Sequence, residues 1–418
     1  MWNRRLALVV TVLILALVAG AQAQQPYETP PVLQATDLAP AGLVTGQGYS
    51  VAPEVPTVWM LGEFMLKADV GTFTPHGLEL LRIRVAELAA IRQLDDTSKT
   101  AEFAKAAGRA AVRPVASTVN MLAHPVDTIS GMPAGVGRFF QRVKLGGEAV
   151  ADAATAPDKS GMERTAAAGG RIGTATINAL GYEEERRHLA KKINVDPYTT
   201  NPVLSEKLDS VAWVAFSAKQ AVNLTTAALM PYSMVMSTVS LTNNLIWDMK
   251  PADLIALNRK KATDMGASDE AAEALTENKY YSISVLTALM AALERLGEVG
   301  GRAEAIALAA TAANEDQARF LMGAAQMLAH HHEWVTPLAA LMARGTMVGK
   351  TAAGGLVVGA PVDYVAWTEN VANFARRPDF AASSLDIWLT GRMSPRARQE
   401  FERIGWRVHE GTQVPAGN

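Results

Sequence analysis

The chain contains no cysteine, which closes off a disulfide framework, a thiolate nucleophile and a lipid-modified export signal. The fold must therefore be held by burial alone, and 418 residues can bury enough surface for that. Aromatic residues are scarce at 6%, while Ala, Leu, Met and Val are abundant, a mixture that favours helix over sheet. An excess of one charge is also missing, with 39 basic residues against 41 acidic ones. That balance sets up no field to gather nucleic acid, and nucleic acid is excluded as a partner. Neither G-x-S-x-G nor H-E-x-x-H occurs, so the familiar serine-hydrolase elbow and zinc-protease helix are absent.

What is present begins with Met1–Ala23. Arg4 and Arg5 precede the 14-residue apolar run Leu6–Ala19, and Ala21-Gln22-Ala23 offers the small–x–small pattern of a signal-peptidase site. A membrane anchor would need about 20 apolar residues, so removal before Gln24 is expected, with a secreted or periplasmic product. Without the two arginines, 37 basic against 41 acidic residues leave the mature chain near −4.

Residues 24–56 carry six prolines (26, 30, 31, 40, 53 and 56), which predicts an extended, loosely held segment, and the remaining 57–418 form the main domain. From Trp59, Phe64, Leu66, Ala68 and Val70 alternate with Met65, Lys67, Asp69 and Gly71 as a strand would. Thr74–Gly77 is a turn, and Leu81–Val85 fits either the second arm of a hairpin or a helix face. From Ser98 to about Leu341 the periodicity is helical, with Asn314 placed to cap a helix over 316–333. Glycines 345, 349, 354, 355 and 359 among apolar residues predict a hairpin turning at 352–355, then an extended piece at 363–367. Ser394-Pro395 opens a last helix that Gly405 ends. The expected fold is mainly α (α+β), a multi-helix domain with small β-hairpin elements near 59–87 and 344–367 that pair with one another.

Several stretches invite chemistry. Gly345–Thr351 has two glycines and a Lys-Thr, but with three residues between the glycines instead of the four a phosphate loop needs. A hairpin glycine accounts for it, and no nucleotide is expected. His330, His331 and His332 precede Glu333, and Gln326, His330 and Glu333 share a helix face that could supply two metal ligands. Histidines at a helix C-terminus are also what the helix dipole favours. His76, His124, His188 and His409 could join them only through folding. Arg138–Lys144 with Phe139 and Phe140 reads as a basic amphipathic patch or as a core-facing helix. Gln220–Trp247, 28 residues without a charge, is too rich in Asn, Ser and Thr for a membrane span and reads as buried helix. The acidic pairs at 95–96 and 183–185 read as solvated helix ends. No residue set argues for catalysis or a cofactor.

Gly62–Gly77 with Glu79–Glu87, Gly181–Trp213 with its Val195-Asp196-Pro197-Tyr198-Thr199-Thr200-Asn201-Pro202 core, and Ala360–Trp367 resemble a family of hypothetical secreted proteins of proteobacteria. The resemblance runs from about residue 50 onward. It implies a Gram-negative source and an envelope location, and brings no activity or catalytic residue with it. The expectation from sequence is an exported, non-enzymatic envelope protein that binds a partner protein or the membrane surface. The competing expectation is a periplasmic hydrolase or metalloprotein with its site near His330 and Glu333.

Overall fold

The computed structural model describes residues 26–109, 181–218 and 240–413. Within them the fold is mixed α/β, which corrects the mainly helical expectation: strands are organised in four sheets, one of them five-stranded. Leu338–Ala343 (β1), Met347–Thr351 (β2), Leu356–Ala360 (β3), Leu385–Leu389 (β4) and Trp406–His409 (β5) lie in the order β5-β4-β3-β2-β1. β1, β2 and β3 pair antiparallel, and the β2–β3 turn falls where the glycines put it, at 352–355. β3, β4 and β5 are parallel neighbours. Tight turns cannot join parallel strands, so the chain leaves the sheet through helix Glu369–Ala375 and returns, then leaves again through Pro395–Arg403.

The sequence misleads here for a physical reason. β1 reads Leu-Ala-Ala-Leu-Met-Ala, composed of good helix formers, and becomes a strand only because β2 offers its ladder. β4 and β5 are short, and their polar residues hide the alternation. Burial shows it directly: Met347 and Val357 face one hydrophobic core, while Val348, Leu356, Val358, Ile387 and Trp406 face another on the opposite side of the sheet.

Five helices surround the regions of interest: Leu78–Ser98 (α1), residues 181–192 (α2), Pro202–Ala218 (α3), Ile283–Glu294 (α4) and Glu315–Trp334 (α5). Asn314 caps α5 as expected, its side-chain oxygen accepting from the Gln317 amide at 2.8 Å. Ser394 caps the last helix in the same way, accepting from Ala397 at 2.9 Å. α5 packs on α4 and lies across β3. At Gly359 a Cβ would stand 2.9 Å from the Met327 Cβ and 3.2 Å from the Ala324 carbonyl, so helix and sheet meet there without a side chain between them.

The N-terminal strands do not pair with the C-terminal ones, a second correction. Val32–Gln34, Glu54–Val58 and Leu61–Gly62 form a three-stranded sheet, and a four-stranded sheet runs between Thr45 and Phe73. Leu81–Val85 belongs to α1. The hairpin arm expected there is supplied by Gly71–Phe73, which pairs with Leu66–Ala68. From residue 26 the proline-rich stretch is built into the structure: Ala35, Leu43, Val44 and Val55 are buried with α1 and α3 in a third core. Glu28 ties it to the C-terminal region, its carboxylate accepting from the Trp367 amide and the Ser394 hydroxyl at 2.5 Å each.

The close contact at Gly359 yields a test. Gly359→Ala is expected to destabilise by about 1–3 kcal/mol through overpacking, read as a lower urea midpoint with an unchanged slope.

Candidate functional site

Glu54–Val58 and Leu61–Gly62 pair so that Val58 stands opposite Leu61, which leaves a two-residue loop of Trp59 and Met60. Both loop residues have positive φ, +51° and +69°. Such a turn matches the twist of a hairpin but ordinarily takes Asn-Gly, because a side chain at positive φ is strained. A bulky residue held there costs of order 1–3 kcal/mol and persists only where surrounding structure over-determines it. Trp59 is nevertheless 74% exposed. The strand leading to it alternates, with Val55 and Thr57 inward and Glu54, Pro56 and Val58 outward. Val32, directly opposite Pro56, is 59% exposed. Val32, Pro56, Val58 and Trp59 therefore form a compact apolar patch ending in an indole at the tip.

What over-determines the turn is the segment after β3. The Met60 carbonyl accepts from the Asp363 and Tyr364 amides at 3.0 and 3.1 Å, and the Met60 side chain packs against the C-terminal core. The Asp363 carboxylate accepts from the Gly62 amide at 2.8 Å and from the Leu78 amide at 3.0 Å. One residue thus fixes both the tip of the hairpin and the first turn of α1, whose own N-cap, Gly77, has no side chain to offer. Burial pushes the Asp363 carboxyl up to about 6, against the pull of these donors toward the charged form. The position is pinned in turn by Gly391, where a Cβ would stand 2.0 Å from the Asp363 carbonyl oxygen.

His76, one residue before Gly77, joins the same region to the N-terminus of α5. Its Nδ1 lies 2.8 Å from Asp316 Oδ2, and its Nε2 lies 3.7 Å from Glu63. The hydrogen bond to Asp316, with the charges of Asp316, Glu63 and Glu315, raises the imidazole above its ordinary value. A short way along α1 the Asp196–Pro202 loop is docked by buried polar contacts. Glu87, 1% exposed, accepts from Asn201 Nδ2 at 2.8 Å, from Arg84 at 2.9 Å and from the Thr199 hydroxyl. Thr200 receives Arg84 at 2.7 Å and donates to Glu315 at 2.8 Å, and Arg319 also reaches Glu315 at 2.8 Å. Asp196 accepts from Ser284 at 2.6 Å. The loop that stood out in the sequence is the joint between α1, α4 and α5.

The histidine run disperses. Glu333 is gripped by Arg295 at 2.9 and 2.5 Å, and that hydrogen-bonded pairing holds its carboxyl below the ordinary range. His332 accepts from the Leu338 amide at 2.9 Å. His331 alone turns to the sheet, where it meets the edge of Trp388 at 5.4 Å, and burial lowers its proton affinity. Trp388 is also stacked on His409 at 4.2 Å, and His409 bonds Asp386 at 3.0 Å. One of the scattered histidines, His409, thus does converge with one of the run, His331, around a tryptophan and without Glu333 or His330. Among the described residues no three His, Asp or Glu side chains gather as a metal would require. Likewise, no described helix is long and apolar enough to cross a membrane. His124, Arg138–Lys144 and residues 220–239 lie outside the described residues. Gly345, at φ +73°, sits in the β1–β2 turn of an antiparallel hairpin, the setting that a hairpin glycine requires.

No family model, curated protein or solved structure matches the chain.

Two measurements test this geometry. Asp363→Ala strands the Gly62 and Leu78 amides and is expected to cost about 3 kcal/mol in chemical denaturation. For His76 the folded-state pKa is raised, so its stabilisation is full below about 6.5 and is lost as pH rises through the raised value. The stability difference between the native chain and His76→Gln is therefore expected to be larger at about pH 5.5 than at about pH 8.5.

Proposed function

We propose that this chain is an exported envelope protein that works by binding, and that its contact element is the Glu54–Gly62 hairpin with Trp59 at the tip. The observation that carries this reading is an exposed tryptophan on a turn both of whose residues sit at positive φ. A free chain would relieve that strain, and here hydrogen bonds to Asp363 and Tyr364 maintain it. An aromatic presented in a fixed geometry loses little freedom on binding, which is the property of an interface hot spot. Export rests on the Met1–Ala23 segment, with its two arginines, apolar run and Ala-x-Ala site.

A protein partner is favoured over a membrane surface. Glu54 shares the outward face of the strand with Pro56 and Val58, and no basic residue lies on that strand. The chain as a whole carries a slight negative excess, so an anionic lipid surface would repel rather than gather it.

A photoreactive amino acid at Val58 tests the reading in cells that produce the chain. The expected result is one discrete protein adduct whose yield falls at least about tenfold in Trp59→Ala, while the melting temperature stays unchanged. Loss of the adduct without loss of fold separates binding from stability. Absence of any discrete adduct, or equal yield without the indole, would sink the proposal. A blue shift of tryptophan fluorescence with phosphatidylglycerol vesicles, lost in Trp59→Ala, would replace the protein partner with a lipid surface.

A further inference from the structure

Arg186 and Arg187 are consecutive on α2 and both are buried, at 8% and 5% exposure. Their circumstances differ. Arg186 donates to Asp209 at 2.7 Å and to Ser205 at 3.0 Å, so its charge is answered within the chain. Arg187 is answered less completely: its Nε and Nη1 are buried and make no hydrogen bond. A guanidinium cannot shed its proton to escape the cost of burial, as a lysine or histidine would. An unpaired buried charge costs several kcal/mol, and native proteins do not leave one unless something supplies the counter-charge.

The surroundings narrow what that something is. Arg187 lies within electrostatic reach of the Tyr198 hydroxyl on the Asp196–Pro202 loop, and burial raises that hydroxyl's proton affinity, so it stays a neutral hydrogen-bonding group. The nearby carboxylate of Asp196 is engaged with the Tyr198 amide and Ser284. A planar fork of donors beside a neutral hydroxyl is suited to an oxyanion, whose oxygens accept in the plane of the fork.

We propose that Arg187 is the recognition group of a binding site for a small oxyanion, a phosphate or a carboxylate, between α2 and the Asp196–Pro202 loop. The site does not depend on the hairpin or on its partner. Because this loop also holds Glu87 and bridges through Thr200 to Glu315, an anion bound there tightens the joint between α1 and α5.

Thermal denaturation of the full-length purified chain tests the site, with sodium phosphate, sodium acetate and ionic-strength-matched sodium chloride as the three probes. Phosphate or acetate is expected to raise the melting temperature saturably, by about 3 °C or more beyond chloride. A response to phosphate alone assigns a phosphate site, and a response to acetate assigns a carboxylate site. In Arg187→Met the response should vanish, and the variant should be more stable than the native chain in chloride, since the buried charge is gone. If that variant fails to fold, Arg187→Lys keeps a charge without the fork, and its response should fall by more than half. No saturable shift with either anion on the native chain would overturn the proposal. A shift of full size that survives in both Arg187 variants would do the same.

Discussion

The amides of Gly62 and Leu78 lie at the two ends of one short segment, and a single carboxylate 301 and 285 residues further along the chain satisfies both. That carboxylate belongs to Asp363, and much of the molecule is arranged around it. Its backbone amide holds the Met60 carbonyl, its side chain caps α1, and its own carbonyl accepts from Arg392 at 3.1 Å. The helix that needs the cap begins at a glycine, so no local residue could serve. A buried acid is costly unless its donors are in place. Once they are, it fixes relative positions more sharply than apolar packing does, because a displaced neighbour leaves an N–H without an acceptor. Trp59 can then be displayed in a strained turn without the strain relaxing.

The same logic recurs at the other joints. Glu87 seats the Asp196–Pro202 loop, Glu315 links that loop to α5, and Glu28 fastens the N-terminal segment to Trp367 and Ser394. In a chain without cysteine, long-range connections fall to buried and half-buried carboxylates, each receiving at least one donor from a segment far away in sequence. Such contacts contribute modest net stability, and their main effect is to specify one arrangement among many that would bury the same apolar surface. Arg187 departs from this pattern as a buried cation whose Nε and Nη1 make no hydrogen bond, which is why it points to a ligand.

How much of this the sequence discloses depends on whether the determining interaction is local. The caps Asn314 and Ser394 are legible because a cap reads only the next three residues. The β2–β3 turn is legible from its glycines. The strand β1 is not, since its residues prefer helix and only pairing with β2 overrides them. The parallel order of β3, β4 and β5 depends on contacts across intervening helices, and no periodicity encodes that. The segments around Gly62, Asp196 and Asp363 stand out in the sequence as motifs. Their roles do not, because each acts on partners far away along the chain. Trp59 carries no signal at all: a tryptophan before a methionine gives no hint of a two-residue turn that usually demands Asn-Gly.

Asp363, on this view, locks the hairpin and α1 into one rigid unit that presents Trp59. Native-state amide hydrogen exchange at Gly62, Leu78, Asp363 and Tyr364 probes that lock. If it holds, these four amides exchange only with global unfolding and share its free energy, although they sit next to an exposed turn. If they exchange at the rate of a surface loop, through local opening that leaves the β3 amides protected, the lock does not exist. Trp59 would then have no fixed geometry in which to meet a partner.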